Sequence, residues 1–178
     1  MGLVKSPVFI EAERVSPFLG RAADVDVTLD LMIHDIDIVF ALVGGRKLLD
    51  MRVAGLKVIT DRLDAASAWM EFEGGVTARL TSNRVAGDKR RLLGVRERDA
   101  AYELDYQKAT ITRHTRASAG EVMADSITIE QREPLREELI DFIDCIKTRR
   151  RPRVAGEDAR RALELAIEIN ARISAPSR

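Results

Sequence analysis

From Leu49 to Glu130 the chain is a succession of short runs in which apolar and polar residues alternate, separated by polar turns. Alternation with a period of two is the signature of half-buried strands. Turns this short return the chain antiparallel to itself, so few folds remain open. The firmest pair is Ala66 to Phe72 and Val76 to Ser82, which flank Glu73-Gly74-Gly75; there glycine supplies the positive φ values of a tight hairpin. Leu49 to Thr60 reads as one strand, or as two broken at Gly55. Lys89 to Val95, Ala101 to Tyr106, Ala109 to His114 and Ile127 to Glu130 continue the series, and Arg116 to Asp125 reads as a mobile loop. Pro7 to Val15 is a further strand near the start. The pattern predicts an α+β fold: a large, mostly antiparallel open sheet with helices packed on one face, in a single domain over residues 1–178.

The helical periodicity sits outside that succession. Asp26 to Val43 reads as one helix, capped by Asp24 or Asp26 and stopped at Gly44-Gly45. At about 100° per residue, Asp26, Asp30, His34, Asp37 and Ala41 share a narrow stripe, while Leu31, Met32, Ile33, Ile36, Ile38, Val39 and Phe40 cover most of the rest. Only Asp35 breaks the pattern. Asp30 and His34 are one turn apart on the same face, where a carboxylate can orient an imidazole for proton transfer with a substrate hydroxyl. A structural pair is the commoner meaning of such spacing, and a metal site is a third. His114 lies far along the chain and Cys145 stands alone, so no ligand cluster accompanies them.

Near the C-terminus Pro134 opens a helix with Leu135, Leu139, Phe142, Ile143 and Ile146 as its apolar face and Cys145 as a small core residue. It ends before Pro152, and its basic tail complements the helix dipole. A last helix, Asp158 to Ile173, is expected to bury Ala159, Ala162, Leu163, Ala166, Ile169 and Ile173. The 29 basic and 29 acidic residues cancel, and aromatic residues are only 4% of the chain, which argues against a nucleic-acid surface. No apolar run is long enough to span a membrane and no signal pattern is present, so a cytoplasmic protein is expected. Neither a Gly-x-Gly-x-x-Gly turn nor a phosphate loop occurs, and with them is missing any recognisable nucleotide cradle. Positive charge concentrates around Asn83, Arg84 and Lys89 to Arg91. That cluster could hold an anionic group or protect a sheet edge.

Taken in order, Phe9-Ile10-Glu11-Ala12-Glu13-Arg14, then Asp30-Leu31-Met32-Ile33-His34-Asp35-Ile36-Asp37, the broad sheet, and Arg153-Val154-Ala155-Gly156-Glu157-Asp158-Ala159-Arg160-Arg161-Ala162-Leu163 resemble the C-terminal domain of the glucose-fructose oxidoreductase and inositol dehydrogenase family (Gfo/Idh/MocA). The resemblance covers nearly the whole chain. It implies an NAD- or NADP-dependent dehydrogenase acting on a sugar, sugar-nucleotide or cyclitol hydroxyl, with His34 as acid/base and Asp30 orienting the substrate or His34. Arg14, Asp37, Asn83 and Arg84 become the substrate-binding candidates, and the stretch Thr81 to Arg91 is similar to members that oxidise nucleotide-linked amino sugars.

The family's dinucleotide-binding domain and its Glu-Lys-Pro lysine are not in this sequence. The chain is therefore expected to bind no cofactor and to turn nothing over alone, as a truncated gene model or isolated domain would. A stand-alone ligand-binding or scaffolding domain is the alternative. The resemblance also implies a homo-oligomer, at least a dimer, through the open sheet face, where Trp69 is expected near the contact.

Overall fold

Each alternating run becomes a strand. The computed structural model describes residues 3–117, 120–130 and 132–175, in which the strands are β1 (Phe9–Val15), β2 (Leu48–Leu56), β3 (Ala65–Phe72), β4 (Val76–Asn83), β5 (Arg90–Arg96), β6 (Ala100–Asp105), β7 (Thr110–Arg116) and β8 (Val122–Thr128). They form one sheet of eight strands in the order β2-β3-β4-β1-β5-β6-β7-β8. Every pair is antiparallel except β1 with β4, which run parallel from Phe9 opposite Thr77 to Val15 opposite Asn83. The helices are α1 (Ile33–Val43), α2 (Pro134–Thr148) and α3 (Gly156–Ser174).

One face of β1 to β4 carries the core. Ile10, Ala12, Ala68, Met70, Ala78 and Leu80 lie buried against Ile36, Val39 and Val43 of α1 and Ala162, Ala166 and Ile169 of α3. This is the apolar face the alternation predicts. The turn at Glu73–Gly75 forms with both glycines at positive φ, Gly74 at 79° and Gly75 at 77°. Gly55 does not break β2. A side chain there would meet Ile173 Cδ1 at 2.9 Å and the Ala65 carbonyl at 3.0 Å, so glycine lets α3 lie directly on the strand.

The central helix differs from its expected form at its start. A π-helical turn, Thr28–Met32, leads into α1, which ends at Gly44 in the left-handed conformation. A wide turn inserts a residue and rotates everything before it relative to the rest. Neither Asp24 nor Asp26 makes a side-chain cap. Asp26 instead accepts from Leu63 N at 2.8 Å and from Asn170 Nδ2 at 3.1 Å, and so ties the helix entrance to α3.

Three further expectations shift. Strand β8 begins at Val122, so most of the anticipated loop is sheet; Ser118 and Ala119 lie outside the described residues. On α3 the buried stripe is Ala162, Leu165, Ala166 and Ile169, while Leu163 and Ala159 face outward. Helix α2 forms where Pro134 predicts, yet buries nothing: Leu139, Phe142 and Ile146 are all exposed, and Cys145 is half-buried rather than a core residue. No helix of the described residues is long and apolar enough to cross a membrane.

Candidate active site

Strand direction brings the chemistry to one end of the sheet. Strand β1 ends at Arg14 and Val15, β4 runs parallel beside it to Asn83, and β5 starts opposite them, with Arg14 paired to Arg91 in register. Tyr106, just past β6, donates its backbone amide to the Arg91 carbonyl at 3.0 Å. The entrance of α1 lies over the same end. Between them opens a cleft of about 680 Å³ whose lining includes Arg14, Asp30, His34, Lys89, Arg91 and Tyr106. A larger hollow of about 830 Å³ at the opposite end brings no histidine.

His34 is exposed at the cleft and Asp30, half-buried, stands one turn before it. No hydrogen bond or ion pair joins the two among the described residues, so the imidazole is open to a ligand. Asp37, the next residue of the stripe, is half-buried outside the cleft lining. Burial raises its pKa first and Asp158 of α3 raises it further, whereas His34 lowers it.

Arg14 reaches the cleft from below. It is buried and grips Asp35 with two parallel bonds, Nε to Oδ2 at 2.9 Å and the terminal nitrogen to Oδ1 at 2.7 Å. This pair explains the one acidic residue off the stripe. A carboxylate on an apolar helix face demands a buried cation, and that demand is the sequence signal for Asp35. Arg84 also borders the cleft, but its guanidinium donates to the carbonyls of Ala22, Val25 and Leu63 and lies 3.4 Å from Asp64. Its terminal nitrogens thus hold the loop that leads into α1, while the buried Nε makes no hydrogen bond and has Asp64 as its neighbour. Asn83 accepts from Val85 N at 2.7 Å and is not among the lining residues.

Arg91 and Tyr106 gain their place only from the register. Arg91 is half-buried, and among the described residues no hydrogen bond or ion pair engages its guanidinium. Burial disfavours its charge, and the Arg14 guanidinium disfavours it further, with Asp35 offsetting part. Burial also raises the Tyr106 hydroxyl's pKa, with Asp35 adding to the rise.

Among the described residues, no group of three or more His, Cys, Asp or Glu side chains converges on a metal position. Parallel pairing is confined to β1 and β4, and no strand passes through a glycine-rich turn into a helix.

No family model matches the chain. It is 32% identical over 176 residues, 96% of its length, to UDP-N-acetylglucosamine 3-dehydrogenase from Acidithiobacillus ferrooxidans, and spans 56% of that protein. The solved structure of that enzyme superposes with a TM-score of 0.87 over 94% of this chain and 54% of the enzyme chain. Levoglucosan dehydrogenase in complex with NADH shares the fold at 11% identity, with a TM-score of 0.79 over 97% of this chain and 59% of that one. So does KijD10, a 3-ketoreductase from Actinomadura kijaniata solved with NADP, at 15% identity and a TM-score of 0.73, covering 96% of this chain and 53% of that one. The chain thus spans about half the length of the relatives it matches, and over that half its homologues are Gfo/Idh/MocA-type oxidoreductases.

Proposed function

We propose that this chain is the substrate-binding part of an NAD- or NADP-dependent oxidoreductase acting on a secondary hydroxyl of a sugar, and that the sugar is nucleotide-linked. The observation that carries the reading is the polarity of the cleft: Asp30 and an unengaged His34 on the α1 side, Lys89 and Arg91 on the β5 side. The 32% identity to an enzyme named for UDP-N-acetylglucosamine supports the sugar-nucleotide class over a neutral sugar or cyclitol.

In this reading the sugar lies against α1. An imidazole nitrogen of His34 accepts the hydroxyl proton as the carbon is oxidised and returns it in the reverse direction. Asp30, one turn away, orients the hydroxyl or the imidazole. Asp37 senses the charge on His34 from the far side. Arg14, fixed by Asp35, forms the floor, while Arg84 and Asn83 hold the cleft's border. The chain alone is proposed to turn nothing over, because no cradle for the hydride acceptor is built from its described residues.

The test is a protein that carries this chain together with a dinucleotide-binding part. His34→Ala should lower kcat for oxidation of UDP-N-acetylglucosamine by about 10²- to 10⁴-fold while KM and melting temperature stay close to wild type. Unchanged turnover would remove His34 from the proton transfer.

The open face of the sheet is proposed as the surface of a homo-oligomer. There Trp69 is 38% exposed and packs on Phe9 with ring centroids 5.6 Å apart, and Leu92 of β5 is exposed on the same face. Trp69→Glu should shift the sedimentation coefficient to that of the monomer; a wild-type chain already monomeric across a concentration series would contradict the proposal.

A further inference from the structure

We infer that Arg91 is the specificity-determining residue of the cleft: it anchors a ligand diphosphate on the β5 wall while the attached sugar lies against His34. The inference rests on the sugar-nucleotide reading above and adds the residue that enforces it.

Elimination among the cations at this end of the sheet leads to Arg91. Arg14 grips both carboxylate oxygens of Asp35, so its guanidinium fork is committed to that ion pair and is not free to clamp an anion. Arg84 spends its terminal nitrogens on three backbone carbonyls, and its Nε faces Asp64 at 3.4 Å. Arg90, the neighbouring residue, points to the opposite face and pairs with Glu13 at 2.7 Å. Arg21 and Lys89 are exposed residues of the cleft lining, where water screens them. Arg91 alone of this group is half-buried and without a carboxylate of its own.

Its setting favours an anion strongly. Arg14 pairs with Arg91 across β1 and β5, and Asp35, gripped by Arg14, offsets only part of the repulsion between the two guanidinium groups. A partly desolvated cation held beside a second cation is stabilised by whatever anion enters. The guanidinium fork matches two phosphate oxygens at once, a geometry no lysine provides. Asp30 keeps the anion off the α1 side, so the two walls set the direction in which a sugar diphosphate lies.

Calorimetric titration of UDP, UDP-N-acetylglucosamine, uridine and N-acetylglucosamine into the 178-residue chain and its Arg91→Gln and Arg91→Lys variants tests the anchor. Expected is UDP binding at least tenfold tighter than uridine in wild type, a loss of tenfold or more for both diphosphates in R91Q, partial retention in R91K, and no change for N-acetylglucosamine. If R91Q melts lower than wild type, R91K and the uridine comparison carry the result.

Equal affinity of R91Q and wild type for UDP, or of wild type for UDP and uridine, would overturn the anchor and leave sugar oxidation standing. Arg91-dependent UDP binding in a protein whose complete form oxidises no sugar would retain the anchor and remove the oxidation reading.

Discussion

Two buried carboxylates, Asp35 and Asp64, carry opposite lessons about charge. Asp35 is satisfied by one partner, and a buried ion pair stripped of one member leaves an uncompensated charge. Asp35→Ala should therefore cost about 3 to 5 kcal/mol of unfolding free energy in urea, whereas Arg14→Met with Asp35→Leu should cost clearly less. Equal losses would mean the pair itself stabilises the fold. Asp64 is satisfied by many partners: burial opposes its charge, but amide donors from Ile59, Thr60 and Val58 and the Thr60 hydroxyl outweigh it and hold its pKa far below the usual carboxylate range. A depressed folded-state pKa contributes stability above the unfolded value of about 3.9 and loses it as pH falls toward the folded one. The melting-temperature gap between wild type and Asp64→Asn should thus be widest at neutral pH and narrow toward pH 2. A gap constant with pH would contradict the amide-donor account. Sequence shows that Asp35 breaks the apolar face and so needs a buried cation, but not which one, because Arg14 lies 21 residues away; the role of Asp64 rests on a turn of backbone amides that no side-chain pattern reports.

At the scale of elements, local pattern carried most of the fold. Alternation placed every strand from β1 to β7 within a few residues, and the hairpin glycines named their own turn. What the pattern missed came from packing between elements. The π-helical turn before α1 arises where Asp26 is drawn to Leu63 and Asn170, a tie that no helical period reports. Gly55 left open whether Leu49 to Thr60 is one strand or two; it is a contact surface for Ile173, so Gly55→Ala should lower stability by about 1 to 3 kcal/mol through overpacking. Adding Ile173→Ala should recover part of it, and no recovery would place the strain on the Ala65 carbonyl instead. Helix α2 has a clean apolar stripe that nothing in the described residues covers. Leu139→Lys with Phe142→Lys should accordingly reduce binding of a hydrophobic dye and leave the melting temperature unchanged; a fall in melting temperature would mean that α2 packs within the chain.

The whole molecule is a sheet with its chemistry gathered at one end. Sequence alone set Asp30 and His34 on one face and concentrated the cations around residue 90, because both are local patterns. It left Arg91 undistinguished from Arg84 and Arg90, because only the register decides which face a strand residue takes and which neighbours occupy its charge. Similarly, Asp37 and Asn83 share the pattern of the site but stand beside the cleft. The relatives supply the chemical class, and the cleft supplies the residues that would perform it. A nucleotide-linked sugar is proposed to meet His34 in this cleft. With only two histidines in the chain, the imidazole resonances of His34 and His114 can be followed by NMR during titration with UDP-N-acetylglucosamine. The account predicts saturable shifts in the His34 signals, absent in Arg91→Gln at the same ligand concentration, and none in those of His114. Shifts at His114 with His34 unmoved would contradict it.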